Sequence, residues 1–496
     1  MKTSVKHTLK VILISISIAV MTGMSVLFYL FHKQLQTPQI KALDAIPSHT
    51  ALFFESNKPT DFLLFHLESE PLFNLFLNEK QQQNLQQMVS IVKDFDIEKN
   101  SNAAYLSVHF LGKEMSLLLG IEVDRQHNAD LENVFQQLTD SYRNESFIYK
   151  SSEIRKLHIN KNILHLNCQN GLLLLSFDES LMRASIDQIL LKDSVLQNIV
   201  HSFAHKRDAN VSTCLYMQYS QCEPIFKKIM EEIGGDARIY RMLSPFSWSA
   251  LNVKRKNEKF IFSGYAAVDT ASNLAKPFMH KDKMPDIEKM LPCNAQDVFC
   301  IYTGTYKCFS KIKPYVQTSE NLLELMYPNQ LITFTINHND TVSNALLLVS
   351  DNVSEAAFHL FNSVESDFAE NNYKIDTFYI NTAMVGVVNL NNFMITHLAY
   401  NQQFPKLRYY TIWDNRIVFT DTKVGMISYI QLLRDGETLQ INAEYQTLSS
   451  YFSNQSNILY YSNLQMKKIQ NIRFQYDYLS DNLFLLDAIF SILGYF

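Results

Sequence analysis

Apolar and polar residues recur along this chain at two periods. From Ile154 to Phe177 they alternate singly, the pattern of a half-buried strand pair. With a two-residue turn at Lys161-Asn162, Ile159 faces Leu164 and Leu157 faces Leu166 on an apolar face. His158 then meets His165, and Lys156 meets Asn167, on the polar face. Residues 104–110 and 115–122 predict another hairpin around Leu111-Gly112-Lys113. Trp248 to Val253 and Phe260 to Val268 predict a third around Lys256-Asn257. Arg473 to Tyr478 and Leu483 to Ile489 predict a fourth. Helical spacing replaces alternation at residues 60–95, through Phe62, Leu63, Leu72, Leu75, Leu85, Met88, Val89 and Val92, and again at residues 129–143. The expected fold class is α+β, with antiparallel sheets covered on one side by helices.

One apolar run has neither period. Val11 to Phe31 holds no charged side chain. At about 1.5 Å per residue it reaches about 31 Å, the thickness of a hydrocarbon core. Lys2, Lys6 and Lys10 precede it and only Lys33 follows closely, which puts the N-terminus in the cytoplasm and the remainder outside. A cleaved signal would have about 7–15 apolar residues and a small-residue cleavage site. Here Val26 to Phe31 continues past the small cluster Thr22-Gly23, so a retained transmembrane anchor is expected. The apolar C-terminal run, Leu483 to Phe496, is too short to span as a helix and holds Asp487; it is expected to be strand and core.

The chain also resembles itself. Ile46-Pro47 before Ala51-Leu52-Phe53-Phe54 matches Leu291-Pro292 before Val298-Phe299-Cys300-Ile301. Gly171 to Asp178, leading into Ser180 to Ile186, matches Arg416 to Asp421, leading into Lys423 to Tyr429. Each aspartate stands where a helix N-cap belongs. Cys214-Leu215-Tyr216-Met217 matches Ile458-Leu459-Tyr460-Tyr461. The three matches recur at one spacing of about 244 residues, the mark of a duplication. The expected organisation is therefore a cytoplasmic tail 1–10, a transmembrane anchor 11–31, a linker 32–44, a first α+β repeat 45–270, a linker 271–286 and a second α+β repeat 287–496.

Composition narrows the chemistry. Glycine and proline number 12 each in 496 residues, which disfavours glycine-rich phosphate loops and proline-rich linkers. A formal net charge of −5 gives no reason to expect nucleic acid. GxSxG, Walker A, GxGxxG and HExxH patterns are all absent, so an enzyme is unsupported. His158 with His165, and His201 with His205 one helical turn apart, are the metal-ligand candidates. Neither pair has the third and fourth ligands a metal site needs, so no metal and no cofactor are expected. The six cysteines form no CxxC pair. Cys293 and Cys308 flank a strand and are placed to pair, while Cys214 and Cys300 lie in apolar runs as buried thiols. Lys254-Arg255-Lys256-Asn257-Glu258-Lys259 is a basic hairpin tip, a solvated turn by default and a contact for anionic lipid head groups as the alternative.

The stretch Ala45-Ile46-Pro47-Ser48-His49-Thr50-Ala51-Leu52-Phe53-Phe54-Glu55 behind a short N-terminal anchor, and the hairpin Trp248 to Val268 with Gly264, resemble a bacterial family numbered 3352 among the domains of unknown function. The resemblance covers the architecture of most of the chain. It implies a Gram-negative envelope protein facing the periplasm and carries no catalytic residues across; with the anchor, the expected location is the inner membrane. The expected function is a non-catalytic binding or scaffold protein of the cell envelope, with the membrane and an envelope protein, lipid or polymer as partners. The alternative is an envelope hydrolase with its site in the cleft between the halves; a third is an accessory subunit of an export or transport machine.

Overall fold

A computed structural model describes residues 18–30, 40–57, 70–97, 101–123, 127–191, 195–204, 213–233, 246–268, 284–304, 328–370, 377–463 and 469–492, short gaps within these stretches apart. The described chain is a mixed α+β protein with antiparallel strand pairing, as expected. It divides into two compact units, residues 1–65 with 79–198 and residues 66–78 with 199–496. This division follows spatial density, whereas the division at 271–286 follows sequence recurrence.

The first unit holds β1 (Leu52–Ser56), α1 (Glu79–Asp94), β2 (Ser101–Leu111), β3 (Glu114–Val123), α2 (Asn128–Ser141), β4 (Asn144–Tyr149), β5 (Ser152–Ile159), β6 (Asn162–Gln169), β7 (Leu172–Ser176) and α3 (Glu179–Leu191). Its strands pair in the order β1-β2-β3-β7-β6-β5-β4. All five residues of β7 are buried, because β3 and β6 flank it and α3 packs on it. A strand covered on both faces reads as continuous apolar sequence, as Leu172 to Leu175 does. Burial of Leu85, Met88, Val89, Ile91 and Val92 along α1 follows the 3.6-residue period.

The second unit holds β8 (Thr213–Gln218), α4 (Tyr219–Ile233), β9 (Phe246–Lys256), β10 (Lys259–Val268), β11 (Ala295–Tyr302), β12 (Pro328–His338), β13 (Thr341–Ser350), α5 (Val353–Glu370), β14 (Thr377–Ile380), β15 (Ala383–His397), β16 (Tyr400–Trp413), β17 (Arg416–Thr420), α6 (Lys423–Arg434), α7 (Ala443–Ser449), β18 (Ile458–Asn463), β19 (Ile469–Ser480) and β20 (Leu483–Ile492). Its strand order is β8-β9-β10-β20-β19-β18-β11-β12-β13-β17-β16-β15-β14. The C-terminal apolar run is thus a strand, with Phe484, Leu486 and Ile489 in the core.

One strand order occurs twice: β11-β12-β13-β17-β16-β15-β14 repeats the order of the first unit, number for number. Side-chain tethers repeat with it. The Ser116 hydroxyl of β3 donates to Asp178 at the start of α3 (2.8 Å), and Ser343 of β13 bonds to Thr422 at the start of α6 (2.5 Å). On α3, Ser185 donates to the carbonyl of Ala45, which closes a 3-10 turn ahead of β1 (2.5 Å). At the matching place on α6, the Tyr429 hydroxyl donates to the carbonyl of Met290, which closes the 3-10 turn ahead of β11 (3.1 Å). Tyr429→Phe keeps the ring packing and removes that bond together with the hydroxyl's hydrogen bond to the Arg416 side chain. It is expected to cost about 1 kcal/mol, read from the midpoint of chemical denaturation; no change would mean the tether carries no stability.

Two local expectations are corrected. The β5–β6 turn falls at Asn160-Lys161, not Lys161-Asn162, because Asn160 takes the left-handed conformation, φ 54°, that asparagine tolerates. Leu157 therefore opposes Leu164, Lys156 opposes His165, and His158 opposes Ile163. The slip is an even one, so every residue keeps its expected face and only the partners change. At α6 the N-cap is Thr422, whose Oγ1 accepts from the Gly425 amide (3.0 Å). The carboxylate of Asp421 reaches across to β13 instead, accepting from the Asn344 amide (3.0 Å) and side chain (2.7 Å). Asp178 does cap α3, accepting from the Leu181 amide (3.1 Å).

Of the expected anchor, Ile18 and residues 20–30 are helical, with Met21 71 % and Leu27 67 % exposed. Among the described residues no helix is long and apolar enough to cross a membrane. Residues 1–17 and 31–39, and residues 271–283 of the expected linker 271–286, lie outside the described residues.

Candidate functional site

The histidines nominated by spacing do not converge. His158 is partly exposed, with Nε2 3.7 Å from Glu145 on β4. His165 is buried, with Nε2 3.5 Å from Glu179, and burial holds its imidazole below the usual value. Glu179 is already engaged by Lys156 (2.6 Å) and Arg183 (2.5 Å), whose hydrogen bonds hold its carboxyl down at about 2. This is a structural network in which Lys156 and Arg183 also lie over the Phe147 ring. His201 is exposed on the helix Val195–Ala204, and His205 lies outside the described residues. No group of three or more His, Cys, Asp or Glu gathers as metal ligands among the described residues.

Cys300 and Cys214 are buried, as their apolar runs imply. Burial pushes the Cys300 thiol up to about 12, so it is not a nucleophile. Cys308, the partner expected for Cys293, lies outside the described residues. A groove of 330 Å³ runs beside α1, lined by Gln83, Gln86, Gln87, Ser90, Asp94 and Tyr142 among others, without convergent charge.

A different place in the second unit has an unusual chemical balance. Alternation along Ile472-Arg473-Phe474-Gln475-Tyr476 on β19 sends Ile472, Phe474 and Tyr476 to one face and Arg473 and Gln475 to the other. Register then sets Arg473 opposite Tyr461 on β18 and opposite Ile489 on β20. Continuing across the sheet, Ile489 opposes Ile261 and Ile261 opposes Lys254; one row further, Ser491 opposes Lys259 and Lys259 opposes Lys256. Opposed residues share a face. Arg473, Tyr461, Lys254, Lys256 and Lys259 therefore stand on the same side of the sheet.

Residues after α7 bring aromatic rings to this side. The Arg473 guanidinium lies 4.8 Å from the Phe452 ring centre and 5.2 Å from that of Tyr445. Next to Phe452, the Tyr451 ring takes the Lys256 ammonium at 5.5 Å and the Lys259 ammonium at 5.4 Å. Tyr445 meets Tyr461 edge-on, 5.0 Å between centres. Arg473 is 5 % exposed, and among the described residues it has no carboxylate in ion-pair range. Among the described residues its Nε and Nη1 are buried without a hydrogen-bond partner, and so is the Tyr461 hydroxyl. Burying an unpaired cation costs several kcal/mol, of which flanking rings return about 2.

Asp487 is the acid nearest in register, on the neighbouring row opposite Gln475 and Ser263. Burial raises its carboxyl above the ordinary range, against a Gln475 hydrogen bond that lowers it. Glu288 is occupied by Gln446 and Ser449, both at 3.1 Å. The row of Arg473 and Tyr461 thus carries donors, and the acceptors of this face, Asp487 among them, stand one row away.

The fold does not demand this charge. By the sequence match, the pair in β8–β9 that corresponds to Tyr461 and Arg473 is Met217 and Ser249, and neither is charged. Sequence reasoning stopped at the basic hairpin tip and missed Arg473. Its available signal was a lone arginine inside an alternating apolar strand.

No protein-family model matches the chain. No curated protein matches it. Among solved structures, crystal form I of the treponemal protein TP0453 is similar at 9 % identity and a TM-score of 0.28, over 47 % of this chain and 81 % of that one. Crystal form III gives 10 % identity and a TM-score of 0.27, over 47 % and 82 %. The likeness is distant.

Proposed function

We propose that this is a non-catalytic binding protein of a bacterial envelope, duplicated in sequence, held in the inner membrane by its N-terminal helix and carrying its mass in the periplasm. The binding part rests on one observation: a buried guanidinium and a buried phenol hydroxyl, side by side in the sheet, with no hydrogen-bond partner among the described residues. The corresponding pair in β8–β9, Met217 and Ser249, carries no charge, so the sheet itself does not call for one there.

Support for the anchor comes from the uncharged run Val11 to Phe31 and its lysine asymmetry. The helical part adds two features suited to lipid. Its apolar side chains face outward all round, Ile18, Met21, Met24 and Leu27 among them. Its hydroxyls turn inward, Thr22 donating to the Ile18 carbonyl and Ser25 to the Met21 carbonyl, both at 2.9 Å. The resemblance of residues 45–55 to the family numbered 3352 supports the periplasmic side.

Membrane fractionation tests the placement. The full chain is expected to stay in the pellet through alkaline carbonate, and protease added to spheroplasts is expected to digest all but the N-terminal segment. Release by carbonate, or full protection in spheroplasts, would sink the anchored, periplasmic reading.

A further inference from the structure

We infer that the donor row of Arg473 and Tyr461 is a binding site for one phosphate group, carried by a lipid head group or by a soluble phosphate compound. The inference rests on the binding role proposed above and is independent of the anchor.

Three buried donors set the ligand's character. Arg473 Nε and Nη1 and the Tyr461 hydroxyl have no partner among the described residues, and Arg473 opposes Tyr461 directly in the β18–β19 register. Opposed side chains start about 5 Å apart at Cβ, so one small group reaches both. The guanidinium nitrogens can only donate and the phenol hydroxyl can donate, so the ligand must accept from all three; an oxyanion offers several acceptor oxygens and opposes the buried charge, which favours it over a neutral amide or alcohol.

Charge then selects among oxyanions. Lys256 and Lys259 hold their ammonium groups on the Tyr451 ring, and Tyr451 is joined in sequence to Phe452, which covers Arg473. A carboxylate needs one cation. A buried guanidinium with two ammonium groups gathered on the adjoining Tyr451 ring suits the larger, more highly charged phosphate, with the guanidinium as the directional contact and the lysines as point charges. The rings exclude water from one side of the guanidinium, which strengthens its bond to an anion.

The test uses the full chain in a neutral detergent. Calorimetric titration with inorganic phosphate, at constant ionic strength set by chloride, is one arm. Titration with short-chain phosphatidylglycerol is the other, with short-chain phosphatidylcholine as the zwitterionic comparison. One phosphate-bearing probe is expected to bind per chain, phosphatidylglycerol more tightly than phosphatidylcholine. Binding of phosphatidylglycerol alone assigns the lipid source; binding of inorganic phosphate assigns the soluble one. Arg473→Gln is expected to weaken binding by about tenfold or more, the scale of a lost charge-assisted hydrogen bond. Tyr461→Phe is expected to weaken it several-fold, and Lys256→Gln with Lys259→Gln to weaken it and flatten its salt dependence.

Absence of binding by every probe overturns the inference, as does binding that Arg473→Gln and Tyr461→Phe leave unchanged. Should Arg473→Gln fail to fold, Tyr461→Phe and the lysine pair decide alone, and unchanged affinity in both is the overturning result. Because detergent replaces the bilayer, phosphate binding stands or falls apart from the fractionation result. A chain that instead retains a co-purified protein or polymer, with no phosphate affinity, keeps the binding role and removes this site.

Discussion

Gly264→Ala is expected to lower the stability of the full chain by about 3 kcal/mol or to prevent folding altogether. Gly264 sits in β10, opposite Leu251 on β9 and Leu486 on β20. A Cβ built there would lie 2.1 Å from the Ala250 carbonyl oxygen and 3.0 Å from Leu251 Cα. Both are backbone atoms of a paired strand, so no side chain can swing aside to admit the methyl. Gly112 provides the comparison. Its φ of 68° is left-handed, yet nothing lies within 4 Å of its would-be Cβ. Gly112→Ala is therefore expected to cost only backbone strain, about 1 kcal/mol. Chemical denaturation followed by the fluorescence of Trp248, on β9, reads both variants. Equal effects would mean that β9 and β10 do not approach as closely as described.

The second large effect is one of pH, with two groups of opposite sign in the first unit. His109 is buried in β2, its Nε2 on the Ser107 hydroxyl (2.9 Å). Burial first, and the neighbouring His49 second, push its imidazole down to about 3. The unfolded chain takes up this proton near the ordinary value of 6.5 and the folded chain does not. The contribution is whole above 6.5 and is lost as pH falls towards 3, at about 1.4 kcal/mol per pH unit.

Glu122, buried in β3, runs the other way. Burial raises its carboxyl to about 7, against the Ala42 amide at 2.6 Å and Lys41, which lower it, while Glu55 and Asp44 add to the rise. Between the ordinary carboxyl value and 7 the folded chain holds a proton that the unfolded chain has released. Stability therefore falls as pH climbs through that window, by about 3 kcal/mol in all. Between roughly pH 4.5 and 6.5 the two slopes oppose one another, and the wild-type profile is expected to be nearly flat there. Glu122→Gln retains an acceptor for Ala42 and should expose the His109 slope, stability rising with pH. His109→Gln should expose the Glu122 slope, stability falling. Denaturation midpoints from pH 4.5 to 8 decide it: variant profiles parallel to wild type would contradict both assignments.

Much of the fold was legible because hairpins and amphipathic helices are local. The β2–β3 hairpin around Gly112, the strands flanking Lys256-Asn257 and the helix now bounded by Asn128 and Ser141 follow from residues close in sequence. Errors arose where two neighbours offered the same chemistry. Asn160 and Asn162 both suit a tight turn, and only the completed ladder chose Asn160. Asp421 and Thr422 both suit a helix cap, and the choice depended on Asn344 of β13. The candidate site was hidden for a stronger reason. Arg473, Tyr461, Phe452 and Lys259 come from separate segments, and only long-range pairing of β10, β20, β19 and β18 puts them together. The duplicated strand order was legible in outline because apolar strands recur at one spacing, while the paired tethers of Ser185 and Tyr429 were not, since a serine and a tyrosine share no pattern.

The place of β20 sets the tempo of folding. The hairpin β9–β10 is local and can form early, yet the partner of β10 is the last strand of the described chain, roughly 200 residues later. Until β20 arrives, β10 presents a row of unpaired amides and carbonyls, with Phe260 and Phe262 exposed beside them. A chain delivered N-terminus first would hold that sticky edge open for the whole time the residues between β10 and β20 take to emerge. Its rate-limiting event is then the closure of one very long loop. Whatever guards nascent chains in its compartment must wait for the final strand before letting go.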